Sequence, residues 1–113
     1  MATVPKCFVE GKQLPSSNDT HYISTSVRSI IDKCTVCNTT GSVATLTLDI
    51  VVAAGSAGVT QRIISARSIA AGETYNCSEM VGHILNPGDS IQGLSGTASA
   101  LTIRISGREI SGI

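Results

Sequence analysis

From Ala44 to Ile50, apolar and polar side chains alternate without a break. Ala44, Leu46, Leu48, Ile50 and Val52 fall on one parity, and Thr45, Thr47 and Asp49 on the other. Successive side chains of a strand point to opposite faces, so this run predicts a half-buried β-strand with the first set turned to a core. Leu101, Ile103 and Ile105, alternating with Thr102, Arg104 and Ser106, predict a second strand of the same kind. The core between them has to be aliphatic. The chain has no Trp, one Phe and two Tyr, whereas Ile, Val and Thr fill 34 of its 113 positions, a bias toward strands over helices.

Further strands are predicted at residues 27–38 and 61–70, with shorter ones at 6–9, 20–24, 74–77 and 90–94. Loops at 38–41 and 54–58 and tight turns at 70–73 and 86–89, rich in Gly, Asn and Pro, separate them. Residues 78–82 suit a single helical turn, with Ser78 as its cap and Gly82 as its stop. About eight short strands with no helix between them predict an all-β fold, a single antiparallel β-sandwich with the jelly roll among its forms. Residues 1–17, polar and holding Pro5 and Pro15, read as an N-terminal arm or edge strand, and residues 18–113 as the sandwich domain.

Four cysteines are the first candidates for chemistry. Cys34 and Cys37 match C-x-x-C, and Cys7 and Cys77 could complete a four-thiolate zinc site. That pair, however, falls inside a predicted strand, where residues three apart face opposite ways and cannot chelate one metal. On the parity that turns Ile30 and Val36 inward, Cys34 is a buried thiol and Cys37 faces out. Cys7, Cys37 and Cys77 stay open as crosslinking residues, within or between chains; no metal and no cofactor is expected. His21 and His83 belong to no nucleophile motif. Asp32, Asp49, Glu73 and Asp89 read as turn or solvent-face residues, and no Gly-rich loop joins a strand to a helix. The expectation is a protein without a catalytic site. Three N-x-[ST] sequons, at Asn18, Asn38 and Asn76, are within chance for so Ser/Thr-rich a sequence.

Eight basic and eight acidic side chains cancel, and only 14% of residues are charged. No basic stripe or aromatic platform suits nucleic acid. The first residues lack the apolar stretch of a secretory signal, and no apolar run is long enough to cross a bilayer. Synthesis in the cytoplasm is therefore expected, which sits awkwardly with four cysteines unless the protein works outside the cell after lysis. Outside the apolar strand faces the chain uses Ser, Thr, Ala and Gly in place of Lys and Glu. A surface that poor in charge suits close packing against copies of itself or other proteins, so a homo-oligomer is expected.

The segment Ser65-Ala66-Arg67-Ser68-Ile69-Ala70-Ala71-Gly72-Glu73-Thr74-Tyr75, with Leu85-Asn86-Pro87-Gly88-Asp89-Ser90-Ile91 after it, resembles small all-β structural proteins of tailed bacteriophages. Ile30-Ile31-Asp32-Lys33 and Asn38-Thr39-Thr40-Gly41 are similar to the first half of such chains, so the resemblance covers most of residues 28–109. Its phrases are strands and turns. It implies a virion component at the neck, collar, tail or capsid surface, made in the host bacterial cytoplasm and built into a symmetric oligomer. It carries over no active residues. A carbohydrate- or receptor-binding module of a phage adhesion apparatus is the alternative, although Phe8, Tyr22 and Tyr75 are a small aromatic supply for sugar stacking. Other virion proteins are the expected partners, with no nucleic acid and no membrane.

Overall fold

The computed structural model describes residues 2–111. Nine strands follow one another: β1 (Ala2–Gln13), β2 (Asp19–Ile23), β3 (Arg28–Asn38), β4 (Ala44–Val51), β5 (Arg62–Ile69), β6 (Thr74–Asn76), β7 (Ile84–Leu85), β8 (Ser90–Ser95) and β9 (Leu101–Ser111). One sheet runs β1-β9-β3-β6, with β7 also on β3; the other runs β2-β8-β4-β5. Every pairing is antiparallel. β6 and β7 pair with different stretches of the same edge of β3 and together act as one interrupted strand. Counted that way there are eight strands, and the chain crosses between sheets at every connection except β4 to β5. This is the jelly-roll arrangement.

The aliphatic alternation builds the core. Leu46, Leu48 and Ile91 from one sheet meet Ile31, Val36, Leu101, Ile103 and Ile105 from the other, all fully buried. Bulges adjust which residues face it, because one extra residue in a strand reverses the parity beyond it. In β3 a shift between Ile31 and Lys33 puts Ser29 and Ile31 inside before it and Cys34, Val36 and Asn38 inside after it. Ile30, expected inside, therefore lies half-buried on the outer face. In β4, whose pairing with β8 runs without a shift, the alternation holds and Ile50 packs half-buried on the core, but Asp49 and Val51 on the other parity are buried as well, and Val52 is exposed. Asp49 is thus not a solvent-face residue. Arg62 grips its carboxylate at 2.9 and 3.4 Å, and just beyond β4 the chain turns back, the Gly55 amide donating to the Val52 carbonyl at 2.9 Å.

Other boundaries moved as well. β1 is far longer than residues 6–9, and it is an edge strand. Pro5 is tolerated because an edge strand has one unpaired side, and register shifts at Cys7/Val9 and Glu10/Lys12 absorb Gly11, whose φ is +91°. Phe8, Val9 and Leu14 from this segment are buried in the core. β9 continues past Ser106 through Gly107 to Ser111. Residues 78–82 form successive tight turns, with the Met80 and Val81 amides donating to the Cys77 and Ser78 carbonyls at 2.9 and 3.2 Å. Met80 drops fully into the core. Among the described residues the one 3-10 helix is instead Val59–Gln61, between the loop expected at 54–58 and the strand expected to begin at Gln61.

Candidate functional site

Strand directions and registers define two ends of the sandwich. Ala2 pairs with Ser111, Arg28 with Ile110, and Ile23 and Val51 flank Ser90 from either side. One end therefore gathers the start of β1, the β2–β3 link, residues 52–61, β7 and the end of β9. Seven large apolar side chains are exposed among the described residues: Val4, Ile23, Val43, Val52, Val59, Val81 and Ile84. All but Val43 lie at or near that end. Val59 is 84% exposed, at the tip of a loop that carries no charge from residue 52 to 61. The loop is tied down where it leaves β4: Asp89, which also takes the Asn86 amide at 2.9 Å, takes the Ala53 amide at 3.0 Å, and Gln61 takes the Val52 amide at 3.0 Å. Apolar residues scattered singly over a surface mean little, but their concentration toward one end makes that end a candidate contact surface.

The sheet edges are built differently. β1 carries Lys6, Lys12, Pro5 and two bulges; β5 carries Arg62 and Arg67 and breaks its extension at Ala66, whose φ is +45°. β2 is short and bulged, and β6 and β7 have three and two residues. Such edges resist pairing with a further strand. That leaves the ends and faces of the sandwich as the surfaces not blocked in this way.

A second concave feature lies on the outer face of the β1-containing sheet, a hollow of about 420 Å³ lined by Lys33, Thr35, Cys37, Thr102, Arg104 and Ser106. It is made of three cross-strand pairs of β3 and β9: Lys33 with Ser106, Thr35 with Arg104 and Cys37 with Thr102. Lys33 and Arg104 make no ion pair among the described residues, although Glu10 stands opposite Arg104 on β1.

The cysteines divide into two classes. Cys34 and Cys77 are buried, and Cys7 and Cys37 are half-buried; all four are free thiols. Cys7 is opposite Ser106 and Cys37 opposite Thr102, which puts them about 13 Å apart along β9 and two strands apart across it, too far to bridge. No three of the His, Cys, Asp and Glu side chains among the described residues converge as a metal site. His21 lies half-buried on β2, with Nε2 3.1 Å from the Gly93 carbonyl and Nδ1 buried without a partner; burial holds its pKa below the usual imidazole value. Of the sequons, Asn38 is fully buried with both amide hydrogens engaged, so its side chain cannot take a glycan.

Both tyrosines are tied to carboxylates. Tyr22, stacked on Phe8 at 4.3 Å between ring centres, donates to Glu109 at 2.5 Å and also meets Ser29 at 2.8 Å. Burial first, then the Glu109 carboxylate, push its pKa up to about 12. Tyr75 donates to Glu79, sits under the Arg67 guanidinium, and is pushed up to about 12, again by burial first. The ordinary value is 10.0. Between pH 10 and 12 the unfolded chain loses these protons while the folded chain keeps them, so stability is complete below pH 10 and declines as pH rises toward 12. Spectrophotometric titration should show no tyrosinate near pH 10, and Tyr22→Phe should remove part of the alkaline loss of Tm.

The chain matches no known protein family and no curated protein sequence. Among solved structures it is similar to one described as the structure of infectious bursal disease virus Gx strain, with a TM-score of 0.43 and 12% identity. That alignment covers 98% of this chain and 32% of the other, so the chain spans about a third of that neighbour's length. Among the described residues, no helix is long and apolar enough to cross a membrane.

Sequence reasoning missed the apolar end because its members are scattered from Val4 to Ile84 and meet only through the topology. The one local signal was the uncharged run at 52–61.

Proposed function

We propose that this protein is a structural component of a tailed-bacteriophage virion, at the neck, collar, tail or capsid surface, acting by assembly as a symmetric homo-oligomer and not by chemistry. The observation that carries the reading is the apolar end, with six of seven exposed large apolar side chains on one rim of a sandwich whose edges are blocked. A surface of that kind meets a complementary surface end-on, and repeated contacts of one type close into rings or build along an axis. The strand-and-turn phrases at residues 65–75 and 85–91 support the phage assignment. The jelly roll itself does not choose, since capsid and lectin domains share it.

Native mass spectrometry tests the reading. The wild-type chain should give a discrete oligomer, and Val59→Asp or Ile23→Asp should shift it to monomer with Tm held within a few degrees, because both side chains are more than half exposed. A wild-type monomer at high concentration would remove the assembly reading. A second reading has its own observation, the hollow with Lys33, Arg104 and the hydroxyls of Thr35, Thr102 and Ser106, which suits an acidic sugar. Glycan-array binding by a monomer, lost in Arg104→Ala, would put that reading first.

A further inference from the structure

We infer that Cys34 and Cys77 are the two halves of an intrachain disulfide that forms within the folded protein once it leaves a reducing environment. The β3–β6 register pairs Thr35 with Asn76, and the next position along sets Cys34 opposite Cys77. The Cys77 amide donates to the Cys34 carbonyl at 2.9 Å. Both side chains are buried in the same core cluster, at 1% and 0% exposure, so both point to the same inner face.

Directly opposed residues of an antiparallel pair have Cα atoms about 4.5–5.5 Å apart, inside the range of roughly 4.4–6.8 Å that a disulfide spans. Their Cβ atoms stand about 5 Å apart and must close to about 4 Å. Cys77 can supply that movement. It lies one residue beyond the last of β6, a three-residue strand with β3 as its one partner, and leads into a turn. Neither Cys7 nor Cys37 competes, since Cys7 is separated from Cys77 by β9 and β3, and Cys37 points to the outer face.

The chemistry is thiol–disulfide exchange with a low-molecular-weight disulfide such as oxidised glutathione. The Cys77 thiolate attacks one sulfur of that disulfide, forming a mixed disulfide and releasing one glutathione thiolate. Cys34 then loses its proton and attacks the Cys77 sulfur, releasing the second. Two protein thiols are oxidised, and one small disulfide is reduced to two thiols. The adjacent Cys77 thiol, together with burial, holds the Cys34 thiol neutral, so closure is slow and follows opening of the β6 edge. The bond would tie β3 to the segment that carries Val81 and Ile84, both at the apolar end.

This inference does not depend on the proposed function. It is tested on the full chain and on the double variant Cys7→Ser/Cys37→Ser, folded and exposed to excess oxidised glutathione. Both proteins should slowly lose two hydrogens in intact mass, with the non-reduced peptide map linking the Cys34 and Cys77 peptides and a reductant reversing the change. Closing a loop of roughly forty residues should raise Tm by on the order of 10 °C. Two alkylatable thiols remaining in the double variant, a link through Cys7 or Cys37 in the full chain, or a fall in Tm on closure would each overturn the inference.

Discussion

Gly107→Val should cost about 3 kcal/mol or more and lower Tm by on the order of 10 °C, up to loss of the folded state. The reason is space and not backbone angle. A Cβ at Gly107 would stand 2.0 Å from the Ile30 carbonyl oxygen, 3.0 Å from its carbon and 2.7 Å from the Phe8 ring. The first two are backbone atoms of β3, and β9 is hydrogen-bonded between β3 and β1, so neither neighbour can withdraw without breaking a ladder. The Phe8 ring that fills the vacant position is the one stacked on Tyr22. Even Gly107→Ala meets the carbonyl and should show most of the effect. Gly41→Ala is the matched control: nothing lies within 4 Å of its Cβ position, and it should stay within about 0.5 kcal/mol of wild type. Thermal and denaturant unfolding of the three variants check the ordering. A Gly107→Ala protein as stable as Gly41→Ala would mean that β3 and β9 are not packed this closely.

Gly107 also shows where reading the sequence stopped. The strand at 101–106 was plain from its alternation, which stops at Gly107. In a strand, however, a glycine can mark the close approach of another chain segment, and which segment approaches is a matter of tertiary register. The same holds for the cysteines. The spacing of Cys34 and Cys37 correctly separated their faces, because that is a local property of a strand. That Cys77 lands opposite Cys34 depends on β6 pairing with β3, across a long stretch of chain. Two tertiary features hid the rest: Ile30 was misplaced because the added residue between Ile31 and Lys33 reverses parity, and Asp49 because Arg62, on a neighbouring strand, covers its carboxylate. The fold class was legible because it is a sum of local patterns. The apolar end was not, because its residues share an address only after the sheets assemble.

Asn38→Ala should cost about 3 kcal/mol, the sum of lost hydrogen bonds and of a buried carbonyl that loses its side-chain donor. Asn38 is fully buried at the end of β3 opposite the apolar rim. Its Nδ2 donates to the Ser42 carbonyl at 2.8 Å and the Ile69 carbonyl at 2.9 Å, and its Oδ1 accepts from the Thr40 amide at 3.0 Å and the Thr40 hydroxyl at 2.7 Å. Its own amide donates to the Glu73 carbonyl, and its carbonyl accepts from Gly72. One side chain thus closes the β3–β4 loop and joins it to the end of β5, while its backbone holds the β5–β6 turn. Truncation takes the side-chain donor from the buried Ile69 oxygen, a penalty larger than the net worth of that bond, while the exposed Ser42 carbonyl keeps the Thr40 hydroxyl at 3.0 Å. Asn38→Asp is the sharper variant. It keeps the shape and the two contacts with Thr40, but sets a carboxylate oxygen against two carbonyl oxygens, so it should be at least as damaging as alanine at neutral pH. Its folded state favours the protonated acid, which can donate to one carbonyl, so stability relative to wild type should recover as pH falls toward the carboxylate range. Unfolding curves across that range decide it: an Asp variant that tracks wild type at every pH would mean that Asn38 is not donating to those carbonyls.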